Sequence, residues 1–414
     1  MKKIASKWIT FVSVLIVFVS ACFFYFRHYQ PVYNEWFFTV SENEGNIALL
    51  RMESQAGSEN YHYAIWTCKP SGEGMKKACR IPDEYQPDQN SPKMMFWVNR
   101  QIMLVVKDKD GMRNILVISP ETGKAEPWSH GPIDEKVLDA CNSGVLTARQ
   151  LEYNFYYILL RKFGEKDFTR FGRVRSGDLL TKSTISQDAS MSAVIESYTD
   201  GSTPTEINSV MIFKAGTDNE EQKPEGLAVN DILISNPEFH DNGNKLTFIA
   251  NNGFYIYDIK QAREPLRLFK IQDQFRMRYC YDEPGQNVYI PSVKQGIIYK
   301  LDLKNNVIHT INTGTTVAAP MELSGDRQAL FFLTPDVKGN FSLCRFDLTG
   351  NTLKYLSSCS KFEGRHTNND KIKKAITERS NGLKSFTEIK PSKGNITPPG
   401  EDSPSGNSVK TENI

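Results

Sequence analysis

The feature that most constrains the fold of this chain is a repeat of about 45 residues in its second half. In each copy the third of several short apolar segments ends at an aspartate, at Asp258, Asp302 and Asp347, so that successive aspartates are 44 and 45 residues apart. In the clearest copy, residues 236–270, Asp/Asn-Gly turns separate alternating segments, a pattern that indicates antiparallel hairpins. Four short antiparallel strands in a repeat of this length are typical of a β-propeller blade.

Further copies of the repeat extend over most of the chain. The order of strands and turns recurs at residues 285–311 and 326–356, and in less regular form at 47–81, 100–128, 143–174 and 191–214. With the clearest copy these make seven repeats. Six is the alternative, because the copies at 143–174 and 191–214 are irregular and one of them could be an insertion. We therefore predict an all-β fold, a six- or seven-bladed β-propeller, over residues 36–360.

The clearest copy also resembles a known repeat. Its Pro237, Phe239, Asp241, Gly243, Leu246 and Phe248, followed by a strand that ends at Asp258, resemble the WD40-like repeat of TolB-type proteins and of prolyl oligopeptidase relatives. The usual Ser-Pro-Asp-Gly turn is here His-Asp-Asn-Gly at 240–243, and fragments of it remain at 185–188 and 323–326. The resemblance implies a propeller outside the cytoplasm. It does not extend to TolB's role, because no stretch here corresponds to TolB's separate α/β domain.

A second strong feature is an uncharged stretch of nineteen residues from Trp8 to Phe26. This length approaches the roughly 20 residues that a helix needs to cross a bilayer. Three lysines precede the stretch and only Arg27 follows closely, so the positive-inside rule predicts that the chain beyond it is exported. The predicted order is a cytoplasmic N-terminus (1–7), a transmembrane signal-anchor (8–26), a linker (27–35), the propeller (36–360) and a disordered tail (361–414).

Three fates of the apolar stretch are compatible with its sequence. An uncleaved anchor is favoured, because residues 23–26 continue the apolar run. The tripeptide before Cys22 resembles a lipoprotein signal, in which Cys22 would be lipidated, and its small residues also suit a signal peptidase. All three fates export the propeller. We predict a single-pass protein of the bacterial inner membrane with its large domain in the periplasm or extracytoplasmic space.

The cysteines predict a disulfide bond. Export would place the six cysteines that follow the apolar stretch in a compartment that permits disulfides. Cys68 and Cys79 bracket a turn at residues 69–74, and symmetric pairing of that hairpin would set them nearly opposite each other. We therefore expect a Cys68–Cys79 bridge.

No motif for catalysis, cofactor binding or metal ligation stands out. The six histidines are scattered, and the sequence contains no His-Glu-x-x-His, Gly-x-Ser-x-Gly or phosphate-binding glycine loop. The segment 108–111 lacks the closing glutamate of a calcium loop, so we interpret it as a turn. The aspartates at 258, 302 and 347 are interpreted as caps of the turns that follow them. We name no catalytic, cofactor-binding or metal-binding residues.

Charge and tail composition bear on the partners. A net charge of +2 and the lack of a visible basic stripe argue against a nucleic-acid partner. After Cys359 the apolar pattern stops, and a tail rich in Asn, Lys, Ser, Gly and Pro is predicted to be disordered. The leading hypothesis is a membrane-anchored platform that binds an envelope protein or a ligand. The alternative is a propeller-type hydrolase or lyase, whose active site at the channel mouth would be assembled from several blades and leave no local motif.

Overall fold

The computed structural model describes Phe18 and residues 31–357, apart from the segments 42–44, 56–59, 90, 92, 129–134, 153–154, 166, 176–182, 200–205, 216–224, 232–233, 251–252, 262–263, 271–278, 293–295 and 336–340. The described residues form seven antiparallel sheets, each built from strands that are consecutive in the chain. The chain is a seven-bladed β-propeller, so the all-β prediction is confirmed and the alternative of six blades is wrong.

Four or five strands make up each blade. Blade 1 comprises β1 (Pro31–Val40), β2 (Ile47–Gln55), β3 (Tyr61–Cys68) and β4 (Lys76–Arg80). Blade 2 comprises β5 (Gln86–Pro87), β6 (Met95–Val98), β7 (Gln101–Lys107), β8 (Arg113–Ile118) and β9 (Ala125–Pro127). Blade 3 comprises β10 (Lys136–Cys141), β11 (Gly144–Glu152), β12 (Phe155–Lys162) and β13 (Phe168–Arg175). Blade 4 comprises β14 (Thr184–Ile185), β15 (Met191–Thr199), β16 (Glu206–Lys214) and β17 (Glu225–Asp231).

The remaining blades are the three that the sequence repeat predicted best. Blade 5 comprises β18 (Ile234–His240), β19 (Lys245–Ala250), β20 (Gly253–Asp258) and β21 (Leu266–Lys270), with a 3-10 turn at Asp241–Gly243. Blade 6 comprises β22 (Cys280–Asp282), β23 (Asn287–Pro291), β24 (Ile297–Asp302) and β25 (Val307–Asn312). Blade 7 comprises β26 (Ala318–Leu323), β27 (Ala329–Pro335), β28 (Phe341–Asp347) and β29 (Thr352–Tyr355).

The core lies between the blades rather than within one of them. In β7, Leu104 and Val106 pack in a cluster shared with blade 1, while Met103 and Val105 pack against blade 3. A strand that is covered on both faces must be apolar at nearly every position, which explains continuous runs such as Ile102–Val106. The stacking of neighbouring blades therefore explains why the middle strands are apolar at nearly every position.

The ring is closed by side chains. Within residues 31–357, blades 1 and 7 are each built from their own consecutive strands, so neither end of the described chain completes the other's sheet. The closing seam consists of Phe38, Ile47 and Leu49 of blade 1 and Phe331, Leu333 and Leu343 of blade 7, all buried. The backbone N–H of Val40 donates to Glu322 Oε2 over 2.7 Å, and Lys354 Nζ donates to the carbonyl of Ser71 over 2.9 Å.

The repeated aspartates cap turns, as predicted. Strands β20, β24 and β28 end at Asp258, Asp302 and Asp347, and each carboxylate accepts backbone N–H groups two or three residues farther along. Asp108 does the same for the turn after β7, where its Oδ1 accepts from the N–H groups of Asp110 and Met112. These carboxylates satisfy donors that a tight turn would otherwise leave unpaired.

The predicted Cys68–Cys79 disulfide is not seen in the structure. Thr67 pairs with Lys76, and a register shift then places Cys79 opposite Ile65, so the hairpin is not symmetric about its turn. Cys68 packs toward blade 7 and Cys79 toward blade 2, on opposite faces of their sheet. The five described cysteines are buried thiols, and burial raises the pKa of Cys79 to about 11 and that of Cys344 to about 12.

The structure describes the two ends of the chain only in part. Strand β1 begins at Pro31, so the first blade starts within the segment interpreted as a linker. The lipidation candidate Cys22, the residues of the proposed anchor apart from Phe18, and the tail at 361–414 lie outside the described residues. Among the residues that are described, no helix has the length and apolar character needed to span a bilayer.

Candidate binding cavity

A cavity of about 1310 Å³ lies at the centre of the ring, where one inner strand of each of the seven blades contributes to the wall: β1, β6, β10, β14, β18, β22 and β26. Its lining follows these strands and the turns after them, with residues such as Thr39, Trp97, Ala140, Ile185, Phe239, Tyr281 and Met321. It also extends over the β3–β4 hairpin of blade 1 and the turn after β8 of blade 2. In six of the blades the lining strand is the terminal strand of its sheet. The cavity wall therefore contains strand edges, whose N–H and C=O groups are arranged as a template for an extended chain.

The charged side chains of the cavity are unevenly distributed among the blades. The lysines and arginine that line it, Lys69, Lys76, Lys93 and Arg100, belong to blades 1 and 2. The described lining of blades 4 to 7 contains no lysine or arginine and contributes two carboxylates, Glu238 and Glu322. Glu121 and Asp139 are the acids on the blade 2 and blade 3 side. The cavity is thus more positive at blades 1 and 2 and negative at blades 5 and 7.

The fold is found in solved structures of peptidases. The propeller domain of the Trilobed protease from Pyrococcus furiosus is 12% identical with a TM-score of 0.57, over 80% of this chain and 99% of that one. A puromycin-hydrolyzing peptidase of Mycobacterium tuberculosis is 11% identical with a TM-score of 0.55, over 79% of this chain and 54% of the other. The acylaminoacyl peptidase of Pyrococcus horikoshii is 11% identical with a TM-score of 0.54, over 79% of this chain and 53% of the other.

These likenesses show the fold alone, because the identities are so low. The chain spans all of the first propeller domain but only about half the length of the two peptidases. No family profile matches the sequence, and no curated protein matches it either. The WD40-like repeat of the TolB type is therefore not confirmed as the family of this chain.

Asp139 holds three blades together at the cavity wall. It is almost fully buried, its Oδ1 pairs with Lys93 Nζ of blade 2 at 2.7 Å, and its Oδ2 accepts from Thr184 Oγ1 and the N–H of Ile185 in blade 4 at 3.0 and 3.1 Å. A carboxylate that accepts several hydrogen bonds is held in one position. This residue defines the wall rather than offering a reactive group.

His240 begins a second polar chain, between blades 5 and 6. Its Nε2 lies 2.8 Å from Thr247 Oγ1, which lies 2.8 Å from the hydroxyl of Tyr279, and that hydroxyl donates to the carbonyl of Asn236 over 2.8 Å. Because Tyr279 donates onward, it accepts from Thr247, and Thr247 in turn accepts from a proton on His240 Nε2. The chain of donors therefore requires a proton on His240 Nε2.

This array is not arranged for nucleophilic catalysis. Thr247 is completely buried, and Glu238 approaches the same nitrogen of His240, at 3.9 Å, rather than the other ring nitrogen. A general base needs one nitrogen for the nucleophile and its second nitrogen for an orienting group. The three residues instead join two blades at the cavity wall.

We expect the His240 chain to make the protein lose stability in mild acid. Burial lowers the pKa of His240 from 6.5 to about 4. Between pH 6.5 and 4 the histidine is therefore protonated in the unfolded chain but not in the folded one. The free energy of unfolding falls over this range as the pH drops, by about 3 kcal/mol at most. Urea unfolding at several pH values would measure this slope, and His240→Gln should flatten it. An unchanged slope in the variant would contradict the assignment.

Sequence reasoning did not identify the cavity residues. His240 was recognised only as part of a turn, and Asp139 was not singled out. Both lie at or near the ends of the first strands of their blades, a position that a repeat alignment marks only once the blade order is known. Among the described residues, no group of three or more His, Cys, Asp or Glu side chains is placed to hold a metal ion.

Proposed function

We propose that the central cavity binds an extended peptide segment and that this chain is the peptide-binding propeller of a peptide-processing system. The observation that carries the proposal is a cavity walled by strand edges from six blades, with basic side chains on blades 1 and 2 and acidic ones on blades 5 and 7. The likeness of the fold to peptidase propellers supports it.

A peptide suits this cavity better than a compact small molecule. The volume of about 1310 Å³ exceeds the roughly 300–1,000 Å³ of drug-sized ligand sites. An extended peptide can use the backbone groups of the strand edges, as in other cases of strand addition. Its terminal carboxylate would lie near Lys69 and Lys76 of blade 1, and its amino end near Glu238 of blade 5.

The proposal includes the location predicted from the sequence. We propose that residues 8–26 attach the propeller to the bacterial inner membrane, with the cavity outside the cytoplasm, where an envelope protein or a secreted peptide would be the ligand. In this arrangement a second domain or protein supplies any hydrolytic group.

A propeller-type enzyme is the second candidate, because the solved structures named above include peptidases. The two candidates differ in what happens to a bound peptide. Mass spectrometry of a tryptic digest of casein, incubated with the full-length protein in detergent, distinguishes them. New cleavage products would support the enzyme, and retention of intact peptides would support the binding module.

The cavity site is tested by reversing charge at its positive side. Lys69 and Lys76 are exposed, so the double variant Lys69→Glu/Lys76→Glu should fold normally. We expect it to retain casein peptides with roughly tenfold lower affinity. The matched control is Lys260→Glu/Lys304→Glu, which makes the same charge change in exposed turns outside the cavity lining. Equal binding by the two variants would refute the cavity as the site.

A further inference from the structure

An arginine-rich surface lies on blade 3, away from the cavity lining. The arginine face consists of Arg149 of β11, Arg161 of β12, and Arg170, Arg173 and Arg175 of β13. Strands β12 and β13 contain no acidic residue. Arg149, Tyr157 and Arg173 are direct cross-strand partners, as are Phe155 and Arg175, so their side chains share one side of the sheet.

Aromatic rings hold these arginines in place. The guanidinium of Arg170 lies 3.6 Å from the ring centroid of Tyr157, and that of Arg173 lies 4.4 Å from Phe155. Arg149 and Arg161 lie 5.1 and 5.6 Å from Phe168. Stacking of this kind restricts the orientation of the guanidinium groups.

A buried glutamate fixes two of the five arginines. Glu135 is 1% exposed, and its carboxylate accepts from both Arg149 and Arg161, with a shortest distance of 2.6 Å. Thr147 Oγ1 also donates to it, over 2.8 Å. The backbone N–H of Arg175 also donates to Glu196 Oε1 over 3.4 Å. The five arginines outnumber these two carboxylates, so the face remains positive.

Protection of a sheet edge accounts for only part of the arginine face. Charged residues on terminal strands often prevent edge-to-edge aggregation, and the outer strands β4, β21 and β29 also carry basic residues. Arg149 and Arg161, however, lie on β11 and β12, which are inner strands of their sheet and do not form its outer edge.

We propose that the arginine face binds an acidic peptide segment of a partner protein, which adds as a strand to the edge of β13. Strand β13 is the last of its sheet and is eight residues long, and its outer edge has no paired strand among the described residues. The arginines match carboxylates of an extended peptide in charge and in fork geometry. A nucleic acid or a lipid surface also supplies anions, but neither can continue the hydrogen-bond ladder of a strand.

The test uses the full-length protein in detergent and a fluorescent peptide of alternating threonine and glutamate, about as long as β13. Arg173 and Arg175 are exposed, so Arg173→Gln/Arg175→Gln should fold normally, and we expect it to weaken binding roughly tenfold or more. The control Arg267→Gln/Lys304→Gln removes the same charge from exposed positions on blades 5 and 6 and should bind as the unmodified protein does.

Three outcomes would overturn the proposal. Equal weakening in both double variants would show that only overall charge matters. Equally tight binding of a peptide whose backbone nitrogens are methylated along one edge would exclude strand addition. A preference for a single-stranded oligonucleotide or for phosphatidylglycerol vesicles over the Thr-Glu peptide would assign the face to a phosphate-bearing partner instead. Failure of the cavity variants leaves this test unaffected, because the two sites share no residue.

Discussion

Glu135→Gln should lower the free energy of unfolding by about 3 kcal/mol or more. Burial alone would raise the pKa of Glu135, but hydrogen bonds from Arg161, Thr147 and Arg149 bring it below its ordinary value of 4.5. The substitution removes the negative charge and leaves the Arg161 side chain, only 12% exposed, without a counterion in this site. Urea unfolding followed by circular dichroism at neutral pH measures the loss.

The matched control is an ion pair at the surface. The side chains of Arg80 and Asp83 are 55% and 74% exposed, so Asp83→Asn should cost no more than about 1 kcal/mol. Equal losses in the free energy of unfolding for the two substitutions would contradict the argument that burial makes the Glu135 ion pairs stabilising.

The pH dependence of the Glu135→Gln effect tests the direction of the pKa shift of Glu135. Because the folded pKa of Glu135 is lowered, the carboxylate stabilises the fold fully above its unfolded pKa near 4.5, and this contribution is lost as the pH falls through the folded value. The difference in stability between Glu135→Gln and the unmodified protein should therefore shrink in acid. A difference that grew below pH 4.5 would contradict a lowered pKa.

Phe38→Ala should have the second large effect, about 3–5 kcal/mol, because it empties a fully buried position in the closing seam. The ring is joined there by side chains and a few hydrogen bonds, without a shared strand. We therefore expect the loss to appear first as local opening between blades 1 and 7. Hydrogen exchange followed by mass spectrometry should show faster exchange in β1 and β28 under native conditions.

Phe248→Ala is the comparison for this prediction. Phe248 is also fully buried, but it lies between blades 4 and 5, which are joined by continuous chain. Its replacement should cost a similar free energy of unfolding without selective exchange at β1. Identical exchange patterns in the two variants would mean that the closing seam is no weaker than the other blade interfaces.

The sequence predicted the architecture well because the repeat is a local pattern. Alternating apolar residues and Asp/Asn-Gly turns specify hairpins from neighbouring residues alone, and all seven repeats correspond to blades. The turn roles of Asp258, Asp302 and Asp347 were likewise predictable, because a carboxylate at a strand end bonds to backbone only two or three residues away.

The candidate sites depend on contacts that no local pattern encodes. Asp139 bonds to residues about 45 positions away on either side, and the cavity needs all seven blades in place. The arginine face was missed because its basic residues are dispersed over three strands and become adjacent only through cross-strand pairing. The cysteine prediction failed for a related reason, since a single register shift in the hairpin is invisible in the sequence.

Closure of the ring by side chains has a consequence for folding during synthesis. Each blade is contiguous in sequence, so each can pair its strands as soon as its own residues have been synthesised. Blade 1 differs from the other blades, because the face that carries Phe38, Ile47 and Leu49 packs against blade 7. This face becomes buried only after blade 7, the last blade in the sequence, has been synthesised. The nascent chain therefore carries an apolar, aggregation-prone surface through almost its entire synthesis, and the last blade to emerge ends that exposure.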